Sequence, residues 1–437
     1  MITVDDLPVG ITEIELTDPP RDITLANGLA GAKRILALVR LHTHPLGVVV
    51  LDGTIGDSWA AHLPTVWAAM DEAVREHLLA DGVPEDGRPC GPAQSHRLNC
   101  VQRRTAALAA APMISVVVAT RERSESLRRC LQSLLELRYP HYEIVVVDND
   151  PQTETTATMI GAEFSSAVRY VREDRRGLAA AHNRGVAESI GSIVAFVDDD
   201  VLVDRYWLTA IAEGFAAAED VGCVTGLILP AELDTPAQLM LEQHGGFDKG
   251  FRLRVFDSEL NRPDDPLFPF TAGRLGSGAN MAFDRTVLRA IGGFDAAIGA
   301  GTYARGGDDL SAFFRVVLNH RVVYEPAAIV WHRHHREESA LRTQAYGYGV
   351  GLGAFLTSAL AKEPEMWPAL LRRLPGGLRY AFGRRSERNR NRLDGLPAEL
   401  SRLERRGLLY GPIAYGVSRW RCRANSAAAQ PNRTPVP

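Results

Sequence analysis

The sequence predicts an α/β protein: a mostly parallel central sheet with flanking helices, a small N-terminal α/β unit and a helical C-terminal region. Three observations carry that prediction. From Ile114 onward, short runs rich in valine and isoleucine alternate with helical segments, the grammar of a parallel sheet. Several of these runs stop abruptly in acidic residues, most plainly IVAFVDDD at 193–200. A turn-rich stretch, 230–275, follows them where a parallel sheet presents its variable loops.

Residues 1–85 read as the small unit, with strands at 33–41 and 48–51 around the turn HTHPLG. A helix opens at Asp57, with Trp59, Leu63, Val66, Trp67, Met70 and Val74 at helical spacing. His42, His44 and His62 read as ordinary loop and helix histidines. Residues 86–112 read as a linker.

The main domain is expected over 113–340. Strand 114–119 leads through TRER to a helix whose apolar face is Leu127, Leu131, Leu134 and Leu135, ended by Pro140. Strand 143–147 ends in Asp148, Asn149 and Asp150, and 168–171 gives a third strand. The helix LAAAHNRGVAESI feeds strand 192–197 and its aspartates. A helix at 207–218, strands at 221–229 and 276–283, a helix at 309–319 and a strand pair ending in VWHRHHR complete it.

Region 341–424 is expected to be helical and basic, with arginines at 372, 373, 379, 384, 385, 388, 390, 392, 402, 405 and 406. It reads as a solvated helical face, with contact at an anionic membrane as the alternative. The glycines at 347, 349, 351 and 353 suggest close helix packing. The uncharged stretch 343–361 is too glycine-rich for a spanning helix, which needs roughly 20 predominantly apolar residues. Residues 425–437 are expected to be disordered.

The net charge of −4 gives no reason to expect nucleic acid as a partner. The N-terminal residues lack the basic and apolar halves of a signal peptide, so a cytoplasmic protein is expected. Five cysteines without a CxxC pair fit a reducing compartment. Cys90, His96 and Cys100 would offer three zinc-type ligands, with no evident fourth.

Asp198, Asp199 and Asp200 repel one another unless a cation sits among them, so a metal ion carrying phosphates is one reading; strand termination and helix capping is the other. Asp148/Asn149 and Asp308/Asp309 fall at comparable positions, and the carboxyl ends of parallel strands share one edge. Neither GxGxxG nor GxxxxGK[ST] is present, which leaves phosphate binding to a metal on carboxylates.

The ordered motifs SVVVATRER, EIVVVDN, RGLAAAHNRG, FVDDD, GGFD, GGDDLSAFFR and VYEPAAIVWH resemble inverting family 2 glycosyltransferases of the GT-A fold, bacterial members with an added N-terminal region. The resemblance covers about 114–335. It implies that Asp148 and Asn149 contact the base and ribose of a nucleotide-diphosphate sugar. Thr120, Arg121, Asn183, Arg184, Asp198 and Asp199 would lie on the donor side, with His182 where the family commonly has arginine. Asp198 and Asp200, joined by His332, would hold Mn²⁺ or Mg²⁺, and Asp309 would be the base for a hydroxyl acceptor. A sugar-phosphate nucleotidyltransferase would instead show a glycine-rich basic loop after the first strand, which TRERSES is not. A non-catalytic glycan-binding protein would not require both DDD and GGDD.

Overall fold

A computed structural model describes residues 2–26, 31–83, 97–245, 247, 249–382 and 398–428. Its centre is a nine-stranded sheet. Strands β4 (Ile114–Thr120), β5 (Tyr142–Asn149), β6 (Val168–Glu173) and β7 (Ile193–Asp198) run parallel, in the order β7-β4-β5-β6. On the far side of β7 lie β11 (Asn280–Asp284), β9 (Val221–Pro230), β12 (Arg321–His332) and β10 (Arg254–Phe256). β11 is antiparallel to both neighbours, whereas β9 and β12 are parallel to each other. The short β8 (Val201–Val203) turns back to pair antiparallel with the end of β12. That pairing sets His332 opposite Val201, beside the aspartates.

The strands are apolar on both faces because helices cover both. Leu127, Leu131 and Leu134 of α3 (Ser124–Leu135) pack on one face. Ala179 and Ala181 of α5 (Leu178–Glu188), with Phe313 and Phe314 of α9 (Asp308–Val317), fill the other.

The expected strand pair ending in VWHRHHR is a single twelve-residue strand, β12, whose register shifts at Glu325/Ile329 let it continue. Stretch 230–275 is not wholly irregular. It contains α7 (Pro236–Gly245) and also β10, which is ordered by pairing with β12.

The N-terminal unit has three strands: β1 (Val9–Glu15), parallel to β2 (Arg34–Leu41), and β3 (His44–Asp52), antiparallel to β2. Helix α1 (Trp59–Ala80), capped by Ser58, covers one face. The other face leans on the main sheet, where Leu38 packs with Leu227, Leu229 and Ile329. Arg40 bridges Glu13 at 2.8 Å and Asp204 at 2.6 Å, only four residues beyond Asp200. Residues 99–110, expected within a linker, form α2 (Asn99–Ala110); its alanines favour helix and Arg104 ties it to Glu213 of α6 (Trp207–Ala216) at 2.9 Å.

Helix α10 (Glu338–Lys362) lies against α12 (Ala398–Ala428) with α11 (Trp367–Phe382) between them in sequence. The glycines of α10 do serve close packing: a Cβ at Gly349 would overlap the carbonyl oxygen of Glu404. Gly351 meets Gly306, so the same helix presses on the turn that opens α9 with Asp308 and Asp309. Gly307 at that turn has φ +89°, a conformation that favours glycine. Residues 425–428, expected to be disordered, end α12, and the rest of that tail lies outside the described residues. So do Cys90, His96 and the arginines at 384–392.

Candidate active site

The carboxyl ends of β4, β5 and β7 open into a cleft of about 430 Å³. Register puts Thr120 beside Asp148 and Ala119 beside Asp198. The cleft is lined by Thr120, Arg121, Arg123, Asn149, Arg176 and Asp198–Asp200, among others. A larger cleft, about 1140 Å³, lies between α1, α2 and residues 250–254, and none of the three aspartates lines it.

Asp198, Asp200 and His332 each offer one ligand atom, all within 4.8 Å of one another. Burial and the Asp200 charge push the Asp198 carboxyl up to about 7. Asp200 shares that burial, but the neighbouring His332 and Arg123 outweigh it and hold its carboxyl low. Asp200 Oδ1 is buried without a hydrogen-bond partner, 3.2 Å from His332 Nε2. Behind His332, its Nδ1 meets His334 Nδ1 at 3.0 Å, and His334 Nε2 meets Glu242 at 3.0 Å. One neutral tautomer set satisfies the chain: His334 donates to Glu242 and accepts from His332. His332 Nε2 then turns a lone pair toward Asp200, an arrangement that asks for a cation between them. Without a metal a protonated His332 answers the same need, because Asp200 raises its pKa against the effect of burial. The oxygen and nitrogen donors therefore fit a divalent metal.

Asp199 points the other way. Its carboxylate accepts from Thr120 Oγ1 at 2.7 Å and from Arg123 at 3.1 Å, and Arg123 also reaches Asp200 at 3.0 Å. Arg123 and Arg176 are the cleft cations that sequence reasoning passed over, although Arg123 stands within TRER.

Asn149 fixes the loop before α5, donating to the Arg175 carbonyl and accepting from Gly177 N, both at 2.8 Å. Asp148 is fully buried; Tyr170 donates to one oxygen at 3.0 Å and the other has no partner. Burial raises its carboxyl pKa. Arg121 lines the cleft and pairs with Asp150 at 3.1 Å.

Two expected donor-side residues are engaged elsewhere. The Asn183 amide donates to and accepts from the backbone of Phe294, at 2.8 and 2.9 Å, and so anchors GGFD. Arg184 pairs with Glu188 one turn along α5, at 3.0 Å. Both sit on a helix whose apolar periodicity, not the cleft, sets which way each points. His182 is buried against Phe196 and Phe294, with Nδ1 3.6 Å from Asp308.

At the start of α9, Asp309 accepts from Gly278 N at 2.9 Å and from Leu310 N at 2.8 Å. Burial and the Asp308 charge push its carboxyl up to about 6. Tyr348 of α10 is exposed, and its hydroxyl accepts from Gln344 Nε2 at 2.6 Å.

Residues 115–292 match the model of the family described as Glycosyl transferase family 2. The chain carries a family 2 glycosyltransferase domain. Its curated relatives include a pre-mycofactocin glycosyltransferase of Mycobacterium tuberculosis, 27% identical over 222 residues, covering 51% of this chain and 43% of the relative. A glucosyl-dolichyl phosphate glucuronosyltransferase of Haloferax volcanii is 24% identical over 190 residues, or 42% of this chain and 56% of that protein. The chain thus spans about half the length of these relatives. Among solved structures, a mannosyltransferase from Pyrobaculum calidifontis in complex with GDP-Man and Mn²⁺ aligns with a TM-score of 0.40 at 18% identity, over 76% of this chain and 84% of that one. That likeness is too loose to bear on the chemistry of the glycosyltransferase domain.

Proposed function

We propose that this protein is a metal-dependent inverting glycosyltransferase that moves a sugar from a nucleotide-diphosphate donor to an acceptor hydroxyl. The observation that carries this reading is the gathering of Asp198, Asp200 and His332 at one sheet edge, in a chain that also holds the raised carboxyl of Asp309 at the start of α9. Asp198, Asp200 and His332 hold the metal. An imidazole in the set favours Mn²⁺ over Mg²⁺, which prefers oxygen. A bound metal would neutralise charge on the departing diphosphate.

The other roles belong to this chain's own residues. Asn149, on the cleft wall, receives the nucleoside, with Asp148 buried behind it. Arg121, Arg123 and Arg176 supply positive charge in the cleft. Thr120 and Asp199 position Arg123 and the backbone of the triplet. The acceptor oxygen attacks the anomeric carbon, its bond to the diphosphate breaks, and Asp309 takes the hydroxyl proton. Asn183 orients the GGFD turn, and Arg184 serves the surface of α5.

A melting-temperature screen of nucleotide sugars with Mn²⁺ tests donor binding, because ligands that bind only the folded state raise its stability. A metal-dependent rise with one nucleotide class is expected. No rise with any UDP-, dTDP- or GDP-sugar would count against the assignment.

Contact with an anionic membrane surface is a second proposal. Trp367, Leu371 and Leu374 are exposed along one face of α11, next to Arg372 and Arg373. No helix among the described residues is long and apolar enough to cross a membrane.

A further inference from the structure

Four side chains that sequence reading left apart meet beneath the N-terminal unit. His42 lies in the turn between β2 and β3. His77 lies in the last turn of α1, and Asp81 is the C-cap of that helix. Cys100 opens α2. We propose that His42, His77, Asp81 and Cys100 bind a zinc ion that fastens the N-terminal sheet to the helix leading into the glycosyltransferase domain.

The ligand atoms all lie within 4.8 Å of one another, and five of their six spacings approach the edges of a coordination tetrahedron. Asp81 Oδ2 lies 3.3 Å from His42 Nδ1, 3.2 Å from His77 Nε2 and 2.9 Å from Cys100 Sγ. His42 Nδ1 lies 3.2 Å from His77 Nε2 and 3.8 Å from Cys100 Sγ. Zinc bonds of about 2.0–2.3 Å set tetrahedral edges of about 3.3–3.7 Å, close to this spread. Two imidazoles, a carboxylate and a thiol suit zinc better than the oxygen-seeking cations. Cys100, one of three zinc-type ligands in the sequence with no evident fourth, stands here in a different set of four.

Hydrogen bonding alone serves the cluster poorly. Three donors would have to converge on one oxygen of Asp81. His42 would have to donate from Nδ1, leaving its buried Nε2 as an acceptor without a donor. The side chains of His42 and Asp81 are each only 1% exposed, and Cys100 is fully buried, so a substrate cannot reach the thiol. His77 is 15% exposed and lines the larger cleft, which gives an ion a way in.

The surroundings hold the ligands in place. Cys100 N donates to the second oxygen of Asp81 at 2.8 Å. His42 and Thr43 adopt φ of +53° and +69°, unusual for residues with side chains, and Glu15 accepts from both their backbone amides at 3.1 and 2.8 Å. From the cluster, α2 carries the constraint to α6 through Arg104 and Glu213.

The test is metal analysis of the full-length protein after incubation with Zn²⁺ and removal of loosely bound ions. About one tightly held zinc per chain is expected, kept in Asp198→Asn and lost in His77→Ala and Cys100→Ala. Because those two variants can also fail to fold, the unaltered protein is loaded with Co²⁺ as well. Tetrahedral cobalt absorption with a thiolate charge-transfer band is the expected spectrum. A folded protein that holds less than about a tenth of a zinc per chain and shows no thiolate band with cobalt would overturn the proposal. The four residues would then be a hydrogen-bonded hub. Zinc that disappears in Asp198→Asn and stays in Cys100→Ala would overturn it too, by placing the ion in the aspartate cleft.

Discussion

Replacing Asp309 with asparagine separates chemistry from folding. As general base the carboxylate is worth about 10²–10⁴-fold in turnover, or about 3–5 kcal/mol of barrier. The effect on stability has the opposite sign. The carboxyl is raised from 3.8 to about 6 by burial and Asp308. A raised carboxyl contributes stability that is fully present below 3.8 and lost as pH rises through about 6. At pH 7 the ionised group therefore costs about 3 kcal/mol relative to the unfolded chain. Asparagine escapes that cost but can accept from only one of the two backbone amides now bound, which gives back about 1–3 kcal/mol. The expected variant is as stable as the parent or slightly more so, binds donor normally, and turns over at least about a hundredfold more slowly. The parent's rate should climb with pH through about 6, and that limb should vanish in the variant. Nucleoside-diphosphate release, donor calorimetry and denaturant unfolding read the three quantities. Turnover within tenfold of the parent, or a rate loss matched by unfolding, would refute the assignment.

Three further outcomes follow from the same geometry. Arg123→Ala should lower stability by about 1–2 kcal/mol in denaturant unfolding, since Asp199 stays buried without its cation while the half-exposed arginine limits the loss. Gly349→Leu should destabilise by about 1–3 kcal/mol or more and slow transfer, because the side chain would force α10 from α12 and disturb the turn before Asp309. Vesicles of anionic lipid should sediment with the parent and much less with Trp367→Ser/Leu371→Ser; equal sedimentation would remove the membrane proposal.

The strand and its aspartates were legible because a buried parallel strand must be apolar throughout, so IVAFV ending in DDD announces both strand and sheet edge. β1 was not, since Gly10 and Glu13 blur its alternation and its parallel partner begins nineteen residues after it ends. The Pro- and Gly-rich residues that precede α2 mask a helix that its alanines favour. Spacing pointed to the carboxylates but could not say which way Asn183 and Arg184 face, as helix packing decides that, nor that Asp199 turns to Thr120 and Arg123. The His332–His334–Glu242 chain depends on a contact across 92 residues. Similarly, only His77 and Asp81, one turn apart, gave any local sign of the buried cluster they share with His42 and Cys100.

Metal-dependent consumption of a nucleotide-diphosphate sugar is the central activity proposed for this protein. The measurement is nucleoside-diphosphate release by the full-length protein from UDP-, dTDP- and GDP-sugars, with Mn²⁺ and with chelator, beside Asp200→Asn. Release from one donor class that needs the metal and disappears in Asp200→Asn is the predicted result. Release of equal rate in chelator, or none from any donor while the protein is folded, would contradict it.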